Sequence, residues 1–244
     1  MTALEYLEKM DDLLKRIKAT QMDRILQAAE VVADSISDGG LVHTFGTGHS
    51  HYIAEEPCCR GSSLMAVNAW LVPGLMGNTQ ADLAYRLERL EGYAKHILDY
   101  FNPSKKDVLI IVSNSGRNAV PVEMAMEAKK KGIKTVAITS LEYSKSVPSR
   151  HSSGKKLYEI VDIVIDNCCP LGEGVVDVEG VPFKVGPSST VTGAAIIDAI
   201  MVQAARNMAD KGVEPPATMS GNLPGADEYN EKLFVKYRNR IKML

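Results

Sequence analysis

DVLIIVSNSGRNAV (Asp107–Val120) is the stretch that decides the fold. Its opening VLIIV is a continuous apolar run, which is typical of a strand buried on both faces of a parallel sheet. A polar Ser/Asn/Gly loop follows, and then a helical pattern from about Ala119 to Lys131 that Gly132 ends. We therefore predict a strand, a loop and a helix in succession, which is the repeating unit of an α/β sheet.

The same unit recurs on both sides of this stretch. Asp82 is expected to cap a helix that runs to about Tyr100. Strands that alternate with helices at this interval predict a doubly wound α/β fold. The other four strands are expected at Leu41–Phe45, Ser63–Val67, Thr135–Ser140 and Val161–Asp166.

The segments outside this rhythm divide the chain. Residues 1–38 are expected to form two amphipathic helices that pack on the sheet domain of residues 39–230, and residues 231–244 a C-terminal basic helix. Residues 141–158 are expected to be a serine-rich loop, and residues 167–187 a glycine-punctuated β excursion.

A long helix is expected from about Ser189 to Lys211. It is apolar on nearly every face, so we expect it to be buried, in part in a subunit interface.

Composition excludes several classes of protein. The 244 residues carry a net charge of -2, which gives no basic field for nucleic acid. No 18-residue apolar run or signal-peptide pattern occurs, so we expect a cytoplasmic protein without a membrane partner. The cysteines form two adjacent pairs, Cys58-Cys59 and Cys168-Cys169, and we expect reduced thiols in or near the core.

Three polar loops are expected at the carboxyl edge of the sheet, where helix N-termini can bind ligands. They are Gly46–Ser50 (GTGHS), Ser113–Asn118 (SNSGRN) and Gly186–Thr190 (GPSST). Glycine permits close approach of the backbone to a ligand, and serine can either bind an oxyanion or merely cap a helix. His51 replaces the third glycine of GxGxxG and no GxxxxGK[ST] occurs, so we expect no nucleotide cofactor.

The order strand-GTGHS-helix, strand-SNSGRN-helix, strand-AITS and late GPSST resembles the sugar isomerase (SIS) domain family. That family includes phosphoheptose isomerase and N-acetylmuramic acid 6-phosphate etherase. Three further stretches, VSNSGRNAVPVEMA, SRHSSGKKL and NLPGADEYN, resemble the bacterial UPF0309 group of SIS proteins. The resemblance covers about residues 20–230. It implies a five-stranded parallel sheet flanked by helices, a phosphorylated sugar as ligand, and a homodimer or homotetramer with sites at subunit interfaces.

The resemblance also implies which loops hold the ligand, with the phosphate on the second loop and the sugar near the first. Asn114 and Arg117 depart from the family's usual second loop, and Arg117 could either clamp an anionic group or be solvated. The expected substrate-binding residues are Gly48, His49, Ser50, His51, Ser113, Asn114, Ser115, Gly116, Arg117, Asn118, Ser188, Ser189 and Thr190.

Aldose-ketose isomerisation needs a base that moves a proton between C1 and C2 and an acid that opens the ring. Glu55 and Glu56 follow the first loop, and His151 lies in the long polar loop, so these three are the catalytic candidates. Each glutamate could instead be an ordinary exposed helix residue. His49 and His51 project to different sides of a helix start, so we expect no metal there.

The sequence thus predicts a phosphosugar-binding protein that isomerises its ligand. Two alternatives stay open. One is a sensor that binds the sugar phosphate without turnover, and the other is a lyase that acts on an amino sugar phosphate.

Overall fold

The computed structural model describes residues 1–244 and contains a five-stranded parallel sheet flanked by helices, in the strand order β2-β1-β3-β4-β5. A separate antiparallel pair, β6 and β7, lies outside this sheet. The strands are β1 (Val42–Gly46), β2 (Val67–Ala69), β3 (Val108–Val112), β4 (Lys134–Thr139), β5 (Ile163–Asp166), β6 (Gly174–Val176) and β7 (Val185–Pro187). The α-helices are α1 (Thr2–Thr20), α2 (Met22–Ser37), α3 (Ser50–Glu55), α4 (Ala81–Leu87), α5 (Tyr93–Phe101), α6 (Ala119–Lys130), α7 (Leu141–Ser146), α8 (Ser189–Asp210) and α9 (Ala226–Tyr237).

Strand β3 is apolar throughout because both of its faces are covered. Val108, Ile110 and Val112 point into a core that they share with α2 and α8, whereas Leu109 and Ile111 point into a second core with α5 and α6. Successive side chains of a strand alternate between the two faces of the sheet, so a strand covered by helices on both sides needs no polar position. The doubly wound fold predicted from the sequence is confirmed.

A buried polar network holds the amino ends of β1 and β3 together. The Asp107 carboxylate accepts hydrogen bonds from the backbone N–H groups of Leu41 (2.8 Å) and Ser104 (2.6 Å), and it lies 3.1 Å from His43 Nε2. Trp70 Nε1 donates to His43 Nδ1 at 3.0 Å, so the ring nitrogen that faces Asp107 carries the proton. Burial alone would raise the pKa of Asp107, but these hydrogen bonds outweigh it and lower the pKa to about 2.

Two elements differ from the sequence prediction. The second strand begins at Val67, whereas Ser63–Val67 was expected, since Leu64 forms an isolated bridge with Ala217 outside the sheet. The helix expected from Asp82 to about Tyr100 is two helices, α4 and α5, because Gly92 adopts a left-handed conformation (φ 85°) between them.

Several segments are more ordered than expected. Residues 141–158, expected as a loop, contain α7 and a 3₁₀ turn at Leu157–Glu159. The β excursion within residues 167–187 is the β6-β7 pair. The C-terminal helix is α9, which begins at Ala226, and a turn follows it.

The long helix expected from Ser189 is α8, and it is only partly buried. It packs closely against α2 in the first core, but Val202 is 70% exposed in the single chain. None of the helices combines the length and the hydropathy that crossing a membrane requires.

Candidate functional site

The candidate site lies where the strand order reverses. Strand β1 has β2 on one side and β3 on the other, so the loops after β1 and β3 diverge and leave a crevice at the carboxyl edge. A cleft of about 490 Å³ occupies this position, and we call it the switch-point cleft. It is lined by Thr47, Gly48, His49, Ser50, Tyr85, Glu88, Arg89, Ser113, Asn114, Ser115, Arg117, Asn118, Tyr143, Arg150, Gly172, Glu173, Pro187 and Ser189.

The second loop keeps its backbone donors free. The N–H groups of Ser115, Gly116 and Arg117 donate to no acceptor within the chain, although most backbone donors in a folded protein are paired. Gly116 has φ +57°, and a Cβ at this position would lie 3.0 Å from the hydroxyl oxygens of Ser144 and Thr139. Successive free N–H groups in such a turn form a concavity that binds anions.

Two side chains of the same loop are also incompletely satisfied. Asn114 is 6% exposed, and its Oδ1 accepts from Asn167 Nδ2 at 2.7 Å, yet its own Nδ2 has no partner. The Nε of Arg117 is buried and likewise has no partner. Unpaired buried donors are rare and costly, so this group of donors indicates a site for an acceptor-rich ligand.

Three arginines converge on the cleft. Arg89 precedes α5, Arg117 belongs to the second loop, and Arg150 enters from the segment after α7, where its Nη1 donates to Asn118 Oδ1 at 2.8 Å. Burial lowers the pKa of the Arg150 guanidinium, and repulsion by Arg117 and Arg89 lowers it further. Mutually repelling cations around one cleft favour an anionic ligand.

Glu88 is the most buried carboxyl group of the cleft, at 6% exposed. Thr47 Oγ1 of the first loop donates to its Oε2 at 2.7 Å, which ties the end of α4 to β1. Burial raises the pKa of Glu88, and hydrogen bonds from Thr47 and Asn118 only partly offset that effect. A carboxyl group with a raised pKa in a polar cleft is suited to proton transfer.

The serine hydroxyl groups of the third loop donate hydrogen bonds to a glutamate. Glu173 has a left-handed backbone (φ 69°), its carbonyl oxygen accepts from Ser188 Oγ at 2.9 Å, and its Oε2 accepts from Ser189 Oγ at 2.6 Å. Ser188 is fully buried, so Pro187 and Ser189 are the residues of this loop that line the cleft, together with Glu173.

Residues of the first loop line the switch-point cleft, whereas His51, which follows the loop, is buried in the protein interior. Gly48, His49 and Ser50 line the switch-point cleft, whereas His51 is 1% exposed and its Nδ1 lies 2.5 Å from the Gly48 carbonyl oxygen. The imidazole of His51 therefore faces the protein interior, and its Nε2 has no partner.

Glu55 and Glu56 lie in a second, larger cleft of about 710 Å³, which Thr190 also lines. Glu56 is paired there with Arg60. Within one chain, the structure thus separates these two glutamates from the switch-point cleft.

His151 does not line the cleft, and its ring contacts Glu123 and Glu91 of two other segments. Its Nε2 is 3.4 Å from Glu123 and 4.0 Å from Glu91, and the three groups lie close enough together to hold a metal ion. The backbone N–H of Ser153 donates to His151 Nδ1 at 3.1 Å, so Nε2 carries the proton and faces the two carboxylates. These contacts link the segment that carries Arg150 to α6 and to the residue before Gly92.

Six polar side chains of the cleft lie outside the three loops and were not predicted from the sequence. No motif marks them, because they come from a helix end, from α7, from the segment after α7 and from the turn before β6. The one available signal was the Glu91-Gly92 pair, which could have indicated a break in the expected helix. These residues are Tyr85, Glu88, Arg89, Tyr143, Arg150 and Glu173.

Comparison with known proteins places this fold and loop arrangement in a family. The family model of the SIS domain matches residues 5–140. A UPF0309 protein from Geobacillus thermodenitrificans is 43% identical over 240 residues, which cover 98% of this chain and 96% of that protein. A UPF0309 protein from Streptomyces coelicolor is 38% identical over 239 residues, which cover 97% and 95% respectively. The chain therefore belongs to the SIS domain family and, within it, to the UPF0309 group.

Solved structures show the same fold at low sequence identity. Phosphoheptose isomerase from Neisseria gonorrhoeae superposes with a TM-score of 0.55 at 14% identity, covering 84% of this chain and 97% of that one. Phosphoheptose isomerase from Francisella tularensis gives 0.54 at 18% identity, covering 84% and 100%.

Proposed function

We propose that the switch-point cleft binds a phosphorylated sugar, with the phosphate on the second loop. One observation carries the proposal: the three free backbone N–H groups of Ser115–Arg117 adjoin the N-terminus of α6 in a cleft lined by three arginines. A phosphate monoester offers several acceptor oxygens and a double negative charge, which match these donors and cations. Membership of the SIS family supports the same ligand class.

The rest of the cleft suits the sugar. A volume of about 490 Å³ lies within the range of small-molecule sites. Hydroxyl and imidazole groups of His49, Ser50, Tyr85 and Tyr143 also line the cleft and can bind sugar hydroxyl groups.

We further propose that the bound sugar undergoes aldose-ketose isomerisation. Glu88 supports this chemistry because its raised pKa and its place in the cleft allow it to take a proton from one carbon and return it to the next. In this proposal Glu55 and Glu56 act across a subunit interface, since within one chain they lie outside the cleft, and His151 positions the segment that carries Arg150.

This role for the interface rests on a proposed homodimer or homotetramer. Exposed apolar side chains on α8, Val191 and Val202, support burial of that helix by a second copy. We also propose a cytoplasmic location, which the four free thiols support because reducing compartments keep cysteines unpaired.

The ligand class is tested by a thermal-shift screen of hexose, heptose and amino sugar phosphates, with the unphosphorylated sugars as controls. A ligand at a hundredfold excess over Kd stabilises the native state by roughly 2.7 kcal/mol, so we expect a clear rise in Tm with the phosphates alone. Equal behaviour of the phosphorylated and free sugars would contradict the proposal.

The reaction is tested by mass spectrometry and NMR of the product formed from a sugar phosphate that binds. Isomerisation conserves mass and converts an aldose into a ketose. We expect Glu88→Gln to bind this ligand and lose turnover, and Glu55→Gln and Glu56→Gln are assayed beside it. A product of lower mass would indicate elimination instead of isomerisation. Full activity of Glu88→Gln would show that Glu88 is not needed for the reaction.

A further inference from the structure

The adjacent cysteines that follow α3 form a thiol pair that the proposed function does not use. Their Sγ atoms lie 3.3 Å apart. Cys58 is 7% exposed and its Sγ also lies 3.3 Å from the Val67 carbonyl oxygen, whereas Cys59 is exposed and has a left-handed backbone (φ 53°). One buried and one accessible sulfur are therefore already in contact.

The two thiols have different roles in their hydrogen bond, with Cys58 as the donor and Cys59 as the acceptor. The hydrogen bond from Cys58 lowers the pKa of Cys59 to about 7 against the opposing effect of burial. The same hydrogen bond, together with burial, raises the pKa of Cys58. At pH 7 about half of the exposed sulfur is thus thiolate, which is the nucleophilic form, and the buried one keeps its proton.

We propose that Cys58 and Cys59 are a site of reversible oxidation by hydroperoxides, at which Cys59 is attacked first and Cys58 resolves the product. The Cys59 thiolate displaces hydroxide from hydrogen peroxide and becomes a sulfenic acid. Cys58 then attacks the sulfenic sulfur, an S–S bond forms, and one water leaves with the Cys58 proton. The peroxide is reduced, the two thiols are oxidised, and a dithiol reductant restores them.

The second cysteine pair provides a matched control in the same chain. Cys168 and Cys169 are also adjacent and free, but they are both buried, and no sulfur-sulfur contact joins them. Cys169 Sγ contacts the Thr192 hydroxyl at 3.2 Å, and Cys168 Sγ contacts the Asp166 carbonyl oxygen at 3.6 Å. Burial raises the pKa of both thiols, so we expect them to be inert.

The position of the reactive pair connects it to the larger cleft. Cys58 lines the cleft that contains Glu55 and Glu56, and Cys59 lines a neighbouring cleft of about 480 Å³. Closing the bond would fix the backbone between α3 and β2, which forms the wall between these clefts. The inference does not depend on which sugar the protein binds.

The test treats the reduced full-length chain with one equivalent of hydrogen peroxide and maps the cysteines by peptide mass spectrometry. We expect loss of two hydrogen atoms from the peptide that contains Cys58 and Cys59, full recovery with dithiothreitol, and unchanged Cys168 and Cys169. In Cys58→Ser, Cys59 should stop at a sulfenic acid that dimedone traps. Cys59→Ser changes an exposed residue and should abolish oxidation at the pair.

Alkylation is a second measurement, and it is made on the wild-type protein, so it does not depend on the folding of a variant. Iodoacetamide at neutral pH should modify Cys59 faster than Cys168 or Cys169 by about tenfold or more. Equal labelling of the two pairs, a disulfide that joins two chains, or a Cys59 that resists peroxide would overturn the proposal.

Discussion

The two edges of the parallel sheet use polar groups in opposite ways. At the amino edge, Asp107, His43 and Trp70 satisfy one another in a closed network. At the carboxyl edge, backbone donors of the second loop, Asn114 Nδ2 and Arg117 Nε have no partner within the chain. A satisfied network stabilises the fold, whereas unsatisfied donors held in place stabilise a complex with a ligand. Changes at the first edge should therefore alter unfolding, and changes at the second should alter binding.

Asp107→Ala is expected to have the largest effect. It leaves three donors, the Leu41 and Ser104 N–H groups and the His43 ring, without their acceptor, and each buried donor left unsatisfied costs roughly 1 to 3 kcal/mol. Urea unfolding measures the loss, and Asp12→Ala on the exposed face of α1 is the control. Affinity of the remaining folded protein for a sugar phosphate should not change, and a matched loss of affinity would erase the distinction between the edges.

Arg117→Ala tests the other edge. A hydrogen bond to a charged group contributes about 1.5 to 3 kcal/mol, so calorimetry should show a sugar phosphate bound about 10- to 100-fold more weakly. The free energy of unfolding should stay within about 0.5 kcal/mol of wild type, because the buried Nε has no partner to lose. Arg206→Ala, which removes an exposed arginine of α8, is the control. Unchanged affinity in Arg117→Ala would show that the phosphate does not bind at this loop.

Gly116→Ala should affect both measurements modestly. A left-handed backbone costs a residue with a Cβ about 1 to 2 kcal/mol, and the added carbon meets two hydroxyl oxygens at 3.0 Å. If the loop backbone shifts to relieve this strain, the free N–H groups shift with it, so binding should weaken together with stability. Gly154→Ala, at φ 72° with nothing within 4 Å of the added Cβ, provides the matched control for backbone strain alone. Equal binding by the two variants would show that the shape of the second loop does not matter.

Glu88→Gln should change the pH dependence of stability. The pKa of Glu88 is raised in the folded state, so its stabilising contribution is complete below the unfolded pKa of about 4.3 and is lost as pH rises through the raised value. Glutamine removes this loss, and the stability of the variant relative to wild type should increase from acid to neutral pH. Urea titrations at a series of pH values measure the trend, with Glu8→Gln on exposed α1 as control. An opposite or flat trend would contradict the burial of this carboxyl group.

The sheet was predictable because burial on both faces leaves a direct mark on a strand. The run VLIIV identifies its strand without further context. The apolar residues before β2 are equally buried but lie outside the strand, so their apolar character placed the start of the predicted strand four residues too early. The break between α4 and α5 was missed because the helical spacing of apolar residues continues across it. Gly92, whose backbone is left-handed, is the residue at which the helix is interrupted.

The candidate site was predictable only where one loop supplies it. SNSGRN places its donors through local turn geometry, which the sequence encodes directly. Glu88, Arg150 and Glu173 reach the same cleft from three other segments, and only the packing of α4, α7 and β6 brings them together. The sequence likewise could not show that α3 carries Glu55 and Glu56 away from the cleft within one chain.

Phosphate binding by the second loop can be observed directly by following the backbone N–H resonances of isotopically labelled protein while a sugar phosphate is added. We predict large downfield shifts at Ser115, Gly116 and Arg117, because their free donors bind phosphate oxygens, and unmoved resonances at His43 and Asp107. Saturating shifts around Glu55 and Arg60, with the Gly116 resonance unmoved, would contradict it.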